Sequence, residues 1–211
     1  MRLRGNREVP PRKKALLDPR LERWLESVLA TPGLTAIEDR DEAWAMLVDD
    51  ALRGVEVVRA FEGSIVDVGS GNGSPGLVLA ASLPGRAVTL LDSNGRKAAF
   101  LERAAADFPN VTVVRGRAEE QEPDRFGIAL AKALAPPAVA LEWALPLVCE
   151  GGAAVLWLGP SADLDALSRV SEQLGGSTVE ERGGLAVARK IVPTPAGFPR
   201  RPGLARKRPL A

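Results

Sequence analysis

Ser64-Ile65-Val66-Asp67-Val68-Gly69-Ser70-Gly71-Asn72-Gly73-Ser74-Pro75-Gly76 reads as a short apolar strand carrying one acid, then a glycine loop, then a proline that opens a helix. Glycine tolerates positive φ and has no side chain, so such a loop lets a ligand touch bare backbone N–H groups. The acid selects among ligands. A carboxylate at the strand's end repels a pyrophosphate and attracts the ammonium of an amino-acid moiety. That favours S-adenosylmethionine over a dinucleotide. The stretch Gly71 to Gly76 also matches the dinucleotide fingerprint G-x-G-x-x-G, and Asp92 stands about where its ribose acid would. Two features argue against a nicotinamide enzyme: the extra leading Gly69 with Asp67 two positions before it, and Pro75 where the third glycine's helix packing should already be established. A nicotinamide oxidoreductase and a ligand-free strand-to-helix turn are the rival readings.

Outward from this block the apolar pattern alternates between strand and helix periods. Strands are expected at 64–68, 87–91 (ending at Asp92), 111–115, 127–133 and 153–158, with helices at 75–82, 95–107, 136–148 and 162–174 between and after them. Segments 177–181 and 185–191, split by Gly183-Gly184, read as an antiparallel hairpin. The fold class is therefore α/β: an open, mostly parallel, doubly wound sheet with an antiparallel edge hairpin, in which ligands sit beyond the carboxyl ends of the strands. Two helices precede it, one carrying Leu21, Trp24, Leu25, Val28 and Leu29, the other spanning 41–59. The organisation expected is a basic N-terminal segment with helices (1–60), a donor-binding domain (61–192) and a proline-rich basic arm (193–211) with no regular element.

The 211 residues include no histidine and one cysteine, Cys149, read as a buried, inert thiol. That removes intrachain disulfides, histidine triads and most zinc sites, so no metal is expected, and a cytoplasmic setting fits. No apolar run approaches a membrane span. The net charge of +1 hides a segregation: +5 in residues 1–20, −12 in 21–181 and +8 in 182–211. Cationic ends on an acidic body suit a polyanion such as RNA, whose phosphates release counterions when neutralised; solvated tails are the plainer alternative.

The loops after the strands carry the candidate chemistry. Gly69, Gly71 and Gly73 shape the donor loop, and Asp67 is expected to steer the methionine ammonium directly or through water. Asp92 can accept both ribose hydroxyls, because a carboxylate takes two donors at once, and Ser93 could add a contact. Glu119 and the backbone of Ala118 could meet the adenine amine, although strand-end carboxylates also serve as helix caps. No residue looks like a committed acid, base or nucleophile. Methyl transfer from a sulfonium to a ring nitrogen such as guanine N7 needs positioning more than proton removal.

The chain resembles the bacterial guanine-N7 methyltransferases of small-subunit (16S) ribosomal RNA, also called glucose-inhibited division protein B. The resemblance rests on residues Asp67 to Gly76, Leu91-Asp92-Ser93 with Arg96-Lys97, Arg117-Ala118-Glu119, Ala131-Lys132-Ala133 and the ending Arg189-Lys190, Thr194-Pro195 and Phe198-Pro199-Arg200. It runs from about residue 31 to the end. It implies an S-adenosylmethionine-dependent enzyme with the donor held by Gly69, Ser74, Ala118, Glu119 and the position of Lys132, which would lie near the reacting end. Ribosomal RNA or the small subunit would be the partner, held through the basic termini of a monomer. Departures are local: Met46-Leu47 replace an Arg-His pair, Lys132 an arginine, Leu158 a lysine, and Gly33 an asparagine. Trp157 could stack on a base, with a strand-core role as the alternative. A different methyl acceptor, or an RNA-binding relic without catalysis, stays open.

Overall fold

A computed structural model describes residues 18–159 and 162–211. The basic stretch 1–17, which supplies most of the N-terminal charge, lies outside them. Helix α1 (Pro19–Ala30) starts where Asp18 accepts a hydrogen bond from the Arg20 N–H and proline takes the first position. It buries Leu21, Trp24, Leu25 and Val28, the three- and four-residue stripe read from sequence.

The single helix expected over 41–59 is interrupted. Helix α2 (Arg40–Trp44) passes into a π turn (Ala45–Asp49), then α3 (Asp50–Leu52), and after a break at Arg53-Gly54 into α4 (Val55–Arg59). The break has a packing reason. A Cβ at Gly54 would stand 2.7 Å from the Trp157 ring, so the indole occupies the space a side chain would need there. The apolar pattern persists through the break, which is why periodicity alone missed it.

The sheet comprises β1 (Ile65–Val68), β2 (Val88–Asp92), β3 (Val111–Arg115), β4 (Phe126–Lys132), β5 (Val148–Trp157), β6 (Glu180–Arg182) and β7 (Leu185–Arg189), in the order β3-β2-β1-β4-β5-β7-β6. The first five are parallel; β7 runs antiparallel to β5 and to β6. Chain order reverses between β1 and β4, so the switch point falls at the glycine loop. Registers bring Asp92 beside Arg115, and Lys132 beside Trp157. The first hairpin strand starts later than expected, because Gly176 makes an isolated bridge to Lys190 and the chain departs before returning at Glu180.

Helices cover both faces. Helices α1 to α4, α5 (Gly76–Ser82) and α6 (Gly95–Ala105) share a core with Ile65, Leu90, Ile128 and Val155. Helices α7 (Pro137–Ala144) and α8 (Leu164–Gln173) pack against Val66, Val68, Ala129 and Leu156 on the other face. The two sets alternate along each strand, as a two-residue side-chain period requires.

The C-terminal segment is not a free arm. It contains a short helix, α9 (Leu204–Lys207), and returns to the body. Ala205 is buried, and Arg200 forms a two-pronged ion pair with Glu142 of α7, both contacts at 2.5 Å. Further back, the buried Lys190 ammonium donates to the Leu174 carbonyl (2.9 Å) and the Thr194 hydroxyl (2.7 Å), and Thr194 in turn donates to Asp124. Five prolines among arginines suggested an unstructured tail, but the apolar Phe198, Ala205 and Leu210 give it something to bury.

Candidate active site

Beyond the carboxyl ends of β1, β2 and β3 lies a crevice of about 370 Å³, lined by Gly69, Asp92, Ser93, Ala118 and Glu119 among others. That volume lies in the range of small-molecule sites. The structure thus brings five of the ten sequence-predicted site residues onto one cavity wall. The loop is built for the purpose: Gly69, Gly71 and Gly73 all have positive φ. The side chain of Leu134 lies over Gly69 where a Cβ would stand, while Gly71 has nothing closer than 3.7 Å to such an atom. Of the three glycines, Gly69 lines the crevice, while the Gly71 N–H is taken by Asp92.

Asp92 organises this corner. Its Oδ2 accepts from the Gly71 N–H (2.9 Å) and its Oδ1 from the Asn94 N–H (2.8 Å), tying the glycine loop to the start of α6. Each carboxylate oxygen keeps a second lone pair, so two hydroxyl donors can still be accepted. Glu119 Oε1 accepts from the Gly203 N–H (3.0 Å), so the C-terminal segment forms part of the wall. Sequence reasoning missed this, together with Trp143, Leu134 and Arg206, which also line the crevice. Nothing in the local pattern around residue 203 points to position 119.

The other predicted residues stand elsewhere. Asp67 does not face the crevice, a correction to the direct-steering reading. Val68 lines the cavity and strand side chains alternate, so Asp67 points through the opposite face. There it is buried and accepts from the Gly76 N–H (3.0 Å), fixing the first turn of α5 beneath the loop. Burial raises its pKa to about 7, with the Gly76 N–H opposing the rise. Ser74, read as a donor contact, is also turned away: its hydroxyl donates to the Leu47 carbonyl (2.7 Å). Gly73 is packed under Trp24 and Leu77. Trp24 adds a donor the sequence reading had not used, its indole N–H reaching the Asn72 carbonyl at 2.7 Å.

Lys132 does not line the crevice; it links the end of β4 to the π turn and α3. Its ammonium donates to the Met46 carbonyl (2.6 Å) and pairs with Asp50 (2.9 Å). Asp50 also pairs with Arg53 and accepts the Trp157 indole N–H at its carbonyl. Trp157 is thus committed to the strand end. A second cavity of about 350 Å³ lies between α1 and α6, but its Arg20 and Arg23 are already paired with Asp18 and Asp107.

The fold has close relatives in shape. A TehB-like SAM-dependent methyltransferase from Corynebacterium glutamicum superposes with a TM-score of 0.53 at 20% identity, covering 82% of this chain and 96% of that one. The apo form of the S-adenosylmethionine-dependent methyltransferase SibL does so with a TM-score of 0.58 at 16% identity. At such identities the likeness fixes the fold alone. The sequence comparison goes further. The profile of the family described as rRNA small subunit methyltransferase G (GidB) matches residues 20–176. The chain belongs to this family. The family's ribosomal RNA small subunit methyltransferase G of Moorella thermoacetica is 36% identical over 200 residues, covering 84% of this chain and 82% of that protein. That of Carboxydothermus hydrogenoformans is 34% identical over 219 residues, covering 94% and 93%. Within the methyltransferase G family match lie the glycine loop, Asp92, Glu119 and Lys132; the docked tail lies beyond its last residue.

Proposed function

We propose that this chain is an S-adenosylmethionine-dependent methyltransferase that modifies small-subunit ribosomal RNA at a guanine N7 in the cytoplasm. The observation that carries the reading is the crevice of a methyltransferase G family chain, where Asp92, Ser93, Ala118 and Glu119 converge beside Gly69 of the glycine loop. A nucleoside fits what they offer. Asp92 would hold the two ribose hydroxyls, and Glu119 with the nearby backbone would hold the adenine amine. When bound, the donor supplies a methyl group on an activated sulfonium.

The residues around the crevice have a positioning task. With the donor bound, transfer to a guanine N7 lone pair would release the thioether and leave the positive charge on the guanine imidazole ring. No proton leaves N7 in such a transfer, so no general base is required, and Lys132 and Asp50 are engaged with one another. Lys132 holds the π turn against the β4 end, and with it the floor on which a base would rest. Asp67, Gly73 and Ser74 brace the donor loop from behind.

The test is direct. Small subunits and bare 16S RNA from a strain lacking this protein are incubated with the purified chain and tritiated S-adenosylmethionine. Label should appear in the RNA and map to a position that cleaves after borohydride and aniline treatment, a property of N7-methylguanosine. Label on a protein or small molecule, or no label with the donor bound, would overturn the reading.

A further inference from the structure

We infer that Lys97, Arg117 and Arg206 form a rim on the donor crevice that binds a backbone phosphate of the RNA substrate, which assigns part of the RNA footprint and rests on the reading above. The three side chains come from α6, from the loop after β3 and from α9, and all line the same cavity. Lys97 reaches over the loop, its ammonium 3.9 Å from where a Cβ on Gly71 would stand. Among the described residues none of the three has a carboxylate within ion-pairing distance.

Charge counting says what they are for. Three cations face two carboxylates, Asp92 and Glu119, both already engaged with backbone N–H groups. The bare wall has one positive charge in excess, and a donor with a sulfonium, an ammonium and one carboxylate adds another. The occupied crevice therefore calls for an anion from outside. A phosphodiester supplies it, and planar guanidiniums bind phosphate oxygens through paired N–H groups.

Arg206 is delivered to the rim in a fixed position. Its guanidinium lies 5.1 Å from the Trp143 ring centroid, the Gly203 N–H is held by Glu119, and the buried Arg200–Glu142 pair anchors the segment. A free cationic tail would need none of this. The docked segment instead carries one chosen cation to the edge of the donor site, so that RNA closes over a loaded crevice.

Lys97→Gln and Arg117→Gln test the rim without touching the tail, with Arg206→Gln as the third arm and Arg182→Gln, at the opposite edge of the sheet, as comparator. In vitro-transcribed 16S RNA is titrated by filter binding across a salt series, and S-adenosylhomocysteine by calorimetry. Each rim substitution should reduce the slope of log affinity against log salt by about 0.7–0.9. S-adenosylhomocysteine affinity should change less than about threefold, since this thioether carries no net charge for the rim cations to act on. Arg182→Gln should leave the slope unchanged. Equal slopes in wild type, Lys97→Gln and Arg117→Gln would overturn the inference. So would a loss of S-adenosylhomocysteine affinity with RNA binding intact, which makes these residues donor contacts. Saturable binding of inorganic phosphate that the substitutions abolish, with RNA slopes untouched, would overturn it in favour of a free-phosphate site. Failure of the proposed function looks different: wild type itself would neither methylate 16S RNA nor prefer it to an unrelated RNA.

Discussion

Replacing Arg200 with alanine removes one half of a buried ion pair and should release the C-terminal segment rather than unfold the protein. The Glu142 side chain is only 2% exposed and that of Arg200 18%. Removing one partner of a buried pair costs about 3–5 kcal/mol, because the other charge is left without compensation. The pair lies at the rim of the body, so we take the lower end, about 3 kcal/mol, or about 150-fold in the docking equilibrium. Glu142 limits the damage, since it regains water once the segment lifts. The assay is amide hydrogen exchange at Leu204 and Arg208, whose N–H groups donate to the Arg201 and Leu204 carbonyls. Their protection should drop about 100-fold, toward a ceiling set by complete undocking, while β1 and β4 amides keep theirs. S-adenosylhomocysteine affinity should fall too, because Gly203 no longer holds Glu119. Arg200→Met with Glu142→Leu should restore much of the protection, because an apolar pair carries no desolvation cost. Unchanged protection in Arg200→Ala would refute the claim that this pair fastens the segment.

Asp67→Asn tests the buried acid. A carboxyl whose folded pKa is about 7, against an ordinary 3.8, stabilises the fold fully below the unfolded value and loses that contribution as pH rises toward 7. Urea midpoints of wild type should therefore fall between pH 5 and 7.5 relative to the Asn variant, by about 2–3 kcal/mol in stability, and parallel curves would refute the assignment. Trp24→Phe removes the hydrogen bond to Asn72, worth about 1 kcal/mol, and should weaken S-adenosylhomocysteine binding about fivefold by calorimetry with little change in kcat. Gly73→Ala should lower the melting temperature more than Gly71→Ala. At Gly73 φ is +104° and a Cβ meets Leu77 at 2.7 Å, at a cost of about 1–3 kcal/mol, whereas at Gly71 only the left-handed backbone is penalised, by about 1 kcal/mol. The reverse order would show that the loop relaxes around Gly73.

Much of the architecture could be read from the sequence because its signals are local. The β1 block, the four later strand patterns and the Gly183-Gly184 turn each act within a dozen residues, and handedness then leaves few ways to arrange parallel βα units. Of the site, the Asp92 and Ala118-Glu119 positions followed from strand ends alone, since side chains there must point into the switch-point crevice. That Asp67 does not line the crevice was hidden for want of parity. It alternates with Val68, so only one of the two could face the ligand, and the buried run of β1 hides which. The π turn, the Trp157 contact at Gly54 and the Gly203 bond to Glu119 depend on residues 84 or more positions apart or on packing that no period records.

The cationic tail shows how charge counted along a sequence differs from charge offered to a partner. Of the eight cations after residue 181, Arg182 pairs with Glu180, Arg189 lies on Phe61, Lys190 is buried beside Asp124, and Arg200 is locked to Glu142. Three of the eight charges are therefore matched by a carboxylate, and the exposed Arg189 lies over a ring. The four that remain, Arg201, Arg206, Lys207 and Arg208, are exposed within eight residues of one another, and the Arg200–Glu142 pair fixes where that cluster sits. A polyanion would meet a compact patch at the edge of the donor crevice instead of a diffuse arm. The coupling has a direct consequence: cutting the chain before Phe198 should weaken donor binding along with RNA binding, because the Gly203 N–H that holds Glu119 is lost. A truncated chain with full donor affinity and weakened RNA binding would mean that the tail acts by charge alone.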